Sequence, residues 1–103
     1  MSRAVYRIAL SEGTWETKPS KRAMQQLLRS IFPPPARNEW PPYRATLTRL
    51  RFEEPGEDEM LAAEAVVRLR CWHNETVRDE IIMALLGEFQ PEYESMVEVE
   101  VLE

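Results

Sequence analysis

An α+β domain of the ferredoxin-like βαββαβ type is what this sequence predicts: one four-stranded antiparallel sheet with two helices on one of its faces. Three observations carry that expectation. Apolar residues alternate with period two in four stretches, they recur at helical spacing in two others, and the two kinds follow one another in the order strand, helix, strand, strand, helix, strand. A chain of 103 residues with 44% hydrophobic and 30% charged side chains supports a single core, so residues 1–103 read as one domain.

"SRAVYRIALS" opens the series, with Ala4, Tyr6, Ile8 and Leu10 on one side and Arg3, Val5, Arg7 and Ala9 on the other. After the loop "SEGTWETK", the stretch "PSKRAMQQLLRSIF" carries Ala23, Met24, Leu27, Leu28, Ile31 and Phe32 at helical intervals. Pro19 suits the first turn, with Thr17 or Ser20 as cap. The prolines of "PPPARNEWPP" then enforce an extended connection. "YRATLTRLRFEE" is a strand whose phase slips: Tyr43, Ala45 and Leu47 share a face, Leu50 and Phe52 fall on the other, and a bulge near Thr48–Arg49 reconciles them.

"MLAAEAVVRLRCW" alternates over its length, with Leu61, Ala63, Ala65, Val67, Leu69 and Cys71 inward and Glu64, Arg68, Arg70 and Trp72 toward water. Asn74 is placed to cap "ETVRDEIIMALLG", which turns Val77, Ile81, Ile82, Ala84 and Leu85 inward and stops at Gly87. "PEYESMVEVEVLE" closes the series as a strand, with Val97, Val99 and Val101 inward and Met96 outward. With the usual strand order 4-1-3-2, its outward Glu94, Glu98 and Glu100 face Arg3 and Arg7.

The net charge of −5 conceals an asymmetry. Residues 1–51 hold ten Lys/Arg against three Glu, and residues 52–103 hold three Arg against fifteen Asp/Glu. The overall acidity argues against direct nucleic-acid binding and favours a protein partner with a basic surface. No apolar run is long enough to span a membrane, and Arg3 and Arg7 interrupt the N-terminal stretch, so neither a membrane nor a signal peptide is expected. The lone Cys71 fits a reducing cytoplasm.

The topology gathers three connections at one end of the sheet: "SEGTWETK", "EEPGEDE" and "GEFQPE". They hold Glu12, Glu16, Glu53, Glu54, Glu57, Asp58, Glu59, Glu88 and Glu92 against a single Lys18. These nine carboxylates form the candidate partner-binding pole, by charge complementarity that salt weakens. Two other readings stand beside it. Acidic loops keep small proteins dissolved, and a calcium site is conceivable, although "EEPGEDE" lacks the alternating ligands and closing glutamate of an EF-hand.

The opposite pole holds the proline-rich loop, with Trp40 in "NEWPPYR" either packed against the first helix or serving as an interface anchor. Trp72, His73, Arg37 and Arg44 lie near it. Catalytic chemistry finds little footing. Cys71 points inward while His73 begins a turn, no second histidine or cysteine completes a zinc site, and three glycines build no phosphate loop. The outward positions Val5, Arg7, Glu64, Val66, Arg68 and Arg70 include no aromatic pair for stacking RNA bases, and the first loop lacks an acylphosphatase-type glycine–arginine signature. No catalytic residue, cofactor or metal is therefore expected.

The opening "MSRAVYRIALSEGTWETK" and the hairpin "FEEPGEDEM" resemble the small anti-CRISPR proteins of phages and mobile elements, in particular the group that inhibits type I-C effectors. The resemblance covers the general layout of the chain. That group shares no sequence motif, so no individual residue carries over, and the N-terminal arginines depart from a uniformly acidic DNA mimic. The resemblance implies a monomeric, non-enzymatic inhibitor in the cytoplasm of a bacterial host, occupying a surface of a type I effector (Cascade) complex and blocking target DNA. The alternative from the fold alone is a small phage structural, assembly or accessory protein that oligomerises through the open sheet face or an edge strand.

Overall fold

A computed structural model describes residues 2–32, 46–53, 61–71 and 74–102. Strand β1 (Ser2–Ser11) is followed by helix α1 (Lys21–Ile31), strands β2 (Thr46–Glu53) and β3 (Leu61–Cys71), helix α2 (Asn74–Phe89), a short 3₁₀ turn (Glu94–Met96) and strand β4 (Val97–Val101). The four strands form one antiparallel sheet in the order β2-β3-β1-β4. The fold is the α+β, ferredoxin-like arrangement that the order of patterns implies.

The core lies between one sheet face and the two helices. Ala4, Tyr6, Ile8 and Leu10 of β1 are fully buried, and Ala65, Val67 and Leu69 beside them on β3 are equally so. α1 contributes Met24 and Leu28, four residues apart, and the buried Phe32 follows at its C-terminus. α2 contributes Val77, Ile81, Leu85 and Phe89, again at intervals of four. Each of these larger side chains is worth about 1.5–3 kcal/mol in burial, so the two stripes hold the helices on the sheet. No helix among the described residues is long and apolar enough to cross a membrane.

Ser20 caps α1, its hydroxyl accepting from the Ala23 amide at 3.1 Å. Pro19 therefore sits one residue before the cap and is buried there, not in the first turn. The bulge in β2 is present. Register shifts between Leu47 and Arg49, and the intervening Thr48 donates its hydroxyl to the Arg68 carbonyl at 3.0 Å. The extra residue brings Leu47, Leu50 and Phe52 opposite the buried Leu69, Val67 and Ala65. A second shift, between Leu10 and Ser11, lies where β1 meets the start of β3.

Further local expectations are corrected, among them Val101, which ends β4 exposed and not inward. α2 runs through Gly87 to Phe89 and ends at Gln90, whose φ of 45° is left-handed, before Pro91. Gly87 is exposed inside the helix because burying Phe89 outweighs the stop signal. Met96 ends the 3₁₀ turn and is buried, not outward. Glu94 lies in that turn and not on β4. Arg3 faces Arg70 of β3, because β4 pairs with β1 only from Tyr6 to Leu10. Glu64, expected toward water, is only 4% exposed. The inward Cys71 side chain, the Asn74 cap, Tyr43, Ala45, Trp72, His73 and the proline-rich segment with Arg37, Trp40 and Arg44 fall outside what is described.

Candidate functional site

Two charged regions stand out, one at the loop end of the sheet and one on its open face. The loop end is built from the connections on either side of the two helices. Backbone bonds sew the β1–α1 loop to the α2–β4 loop: the Glu16 amide donates to the Gln90 carbonyl at 3.0 Å, Thr17 to Phe89 at 3.1 Å and Glu92 to Thr14 at 3.0 Å. Trp15 locks the seam. Its ring meets Phe89 edge-on, with centroids 6.4 Å apart and planes at 88°, and its indole N–H donates to the Ser11 carbonyl at 3.0 Å.

Gly13 makes the close approach possible. Its φ is +149°, which other residues rarely adopt, and a Cβ there would come within 2.6 Å of the Met96 methyl carbon. The seam presents Glu12, Glu16, Glu88 and Glu92 as exposed side chains. None of these four has an ion-pair partner among the described residues. Four of the nine candidate carboxylates thus sit at this end, Glu12 and Glu16 on the β1–α1 loop, Glu88 in the last turn of α2 and Glu92 on the α2–β4 loop, and the two loops are bonded to each other.

Glu53 behaves differently. It belongs to β2, lies opposite Glu64 and accepts from Arg51 at 2.9 Å, so its charge is already neutralised within the sheet. Glu54, Glu57, Asp58 and Glu59 lie outside the described residues, and with them most of the hairpin considered for calcium. Among the described residues no group of three or more His, Cys, Asp or Glu could hold a metal ion.

The open face is organised in cross-strand rows. Thr46, Arg70 and Arg3 form the first, and Arg49, Arg68 and Val5 the second. Arg51, Val66, Arg7 and Glu100 form the third, and Glu53, Glu64, Ala9 and Glu98 the fourth. Charge therefore runs from purely basic to purely acidic across four rows. At the boundary Arg7 donates from Nε to the buried Glu64 carboxylate. Arg3, Arg49, Arg68 and Arg70 are exposed and have no ion-pair partner among the described residues. Arg3, Arg49, Arg68 and Arg70 also line a shallow depression of about 280 Å³, together with Val5, Thr48 and Leu69.

Sequence reasoning missed this basic end because Arg49 and Arg51 join it only through the bulge at Thr48. The phase slip that located the bulge contained the signal. Once one residue is looped out, positions 49, 51 and 53 must share the face opposite Leu50 and Phe52. Trp15 and Gln90 were missed for another reason, since their role is a contact between loops far apart in the chain. No protein-family model matches the chain, no curated protein matches it, and no solved structure matches it.

Proposed function

We propose that the protein is a non-enzymatic inhibitor that docks its carboxylate-bearing pole onto a basic surface of a type I CRISPR effector complex and so excludes target DNA. One observation carries this reading. Glu12, Glu16 and Glu92 on the two loops and Glu88 in the last turn of α2 are exposed, without cationic partners among the described residues, on backbone fixed by three backbone bonds and a tryptophan. Backbone held in place need not be ordered on docking, and clustered negative charge raises the rate of encounter with a groove shaped for phosphates.

The rival reading, an accessory protein that self-associates through its sheet, meets resistance at the open face and at the β4 edge. A face-to-face pairing with the strand directions aligned brings unpaired arginines together. Arg78 from α2 donates to the outward Val99 carbonyl of β4 at 2.7 Å and so occupies part of that edge.

The test is a salt-titrated pull-down of a purified type I effector complex, using the wild type beside Glu12→Gln/Glu16→Gln/Glu88→Gln/Glu92→Gln. We expect capture by the wild type, weakening between 50 and 300 mM salt by about tenfold or more, and at least tenfold weaker capture by the variant at unchanged melting temperature. Equal capture by both proteins, or none by the wild type, overturns the proposal.

A further inference from the structure

The arginine end of the open face has a chemistry of its own. Cross-strand register sets Arg70 against Arg3 and Arg68 against Arg49, and like charges directly opposite one another destabilise a sheet. Elsewhere on this face the fold neutralises its arginines: Arg7 is paired with Glu64 and Arg51 with Glu53. The other four have no carboxylate within reach among the described residues. An external anion that bridges them removes their mutual repulsion, so the site gains both from the new contacts and from relief of the old ones.

We propose that this surface binds the phosphodiester backbone of single-stranded nucleic acid, without reading its bases. The donor set points to phosphate. All four cations are arginines, whose planar fork matches pairs of phosphate oxygens. Rows two residues apart along a strand are separated by about 6.8 Å, a spacing suited to successive phosphates of an extended strand.

A peptide fits less well. Its amides need acceptors, and this end of the face offers mainly guanidinium donors and Val5, whereas a phosphodiester backbone presents acceptors alone. A duplex is disfavoured because a four-stranded face is wider than a groove that admits a helix or a two-stranded ribbon. Base recognition has no basis here, since Val5 and Val66 stand where stacking aromatics are needed. The footprint ends toward the third and fourth rows, where Arg7 and Arg51 are already paired with Glu64 and Glu53 and the exposed Glu98 repels phosphate. The whole-chain charge of −5 hides the site because it averages over both signs, whereas the first two rows carry arginines and no carboxylate.

The experiment is fluorescence anisotropy of the full chain with a labelled oligo-dT 20-mer and a mixed-sequence 20-mer, between 20 and 150 mM NaCl. With four phosphates engaged, the logarithm of the association constant falls with the logarithm of salt at a slope of about −3. The two oligonucleotides bind within about twofold of each other. Arg49→Gln/Arg68→Gln weakens binding about tenfold or more and roughly halves the slope. Lys21→Gln/Arg22→Gln, which removes as much charge from the exposed start of α1, changes the affinity less than twofold.

Absence of binding at 20 mM salt, or an equal loss in both double variants, overturns the proposal. Tighter binding of a labelled oligo-glutamate peptide overturns it in favour of an acidic protein partner. A dimer in light scattering that is abolished by Arg49→Gln/Arg68→Gln overturns it in favour of a second copy. Circular dichroism and thermal melts establish that each variant is folded. The acidic-pole variant Glu12→Gln/Glu16→Gln/Glu88→Gln/Glu92→Gln should retain oligonucleotide binding, so this inference stands or falls independently of the inhibitor reading.

Discussion

Glu64 is the one charged side chain that the described part of the fold buries, and Arg7 is the reason it can be buried. The pair crosses β1 and β3 within the sheet, with Arg7 still 40% exposed along its side chain. Removing the arginine strands a desolvated carboxylate. Arg7→Met should therefore cost about 2–3 kcal/mol in urea denaturation, less than a fully buried pair because water reaches the arginine. The double change Arg7→Met/Glu64→Leu should recover most of that loss, since neither charge then remains to be solvated. A single change as mild as a surface substitution would mean that the pair contributes nothing. Alternation placed Glu64 on the open face correctly. It could not show that the long side chain across the sheet would cover it.

Elements were legible where one periodic pattern dominated. β1 and β3 alternate cleanly, and the bulge in β2 followed from Leu47 and Leu50 needing the same core face. The end of α2 was not legible, because a local stop signal at Gly87 competes with a distant gain, the burial of Phe89 against Trp15. That competition leaves the helix with a glycine it does not need. Nothing lies within 4 Å of a Cβ built at Gly87, so Gly87→Ala should stabilise the protein by about 0.5–1 kcal/mol. The true terminus invites the complementary change. Gln90 has a φ of 45°, so Gln90→Gly should be neutral or stabilising by up to about 1 kcal/mol. Thermal melts check both, and a lower melting temperature in Gly87→Ala would show that the glycine serves a purpose within the helix.

Across the whole molecule, the charge that divides the chain into a basic and an acidic half is redistributed by folding. Arg68 and Arg70 come from the acidic half of the sequence, yet they join Arg3 and Arg49 of the basic half. The loop carboxylates gather from both halves through the Trp15–Phe89 seam. The meeting of the β1–α1 and α2–β4 connections was readable because they lie at one end of this topology. The arginine rows were not, because they depend on register, and register depends on a single looped-out threonine. Electrostatics should then report on the fold itself. Arg49→Glu exchanges a like-charged pair with Arg68 for an opposite one, and should raise stability by about 0.5 kcal/mol in low salt with the gain shrinking as salt is added. A destabilised variant would mean that the arginines do not repel one another in the folded protein.

The sheet order also governs when the protein can fold. β1 is a central strand, yet its neighbours are β3 and β4, so Leu10 waits for Ala63 on one side and for Val97 on the other. As the chain leaves the ribosome, β1 is made before the other strands and acquires its second partner last. For most of synthesis its edge is open to any other extended segment, with Arg3 and Arg7 as the charges that discourage such pairing. Arginines that serve the finished surface thus also act as gatekeepers for the nascent one.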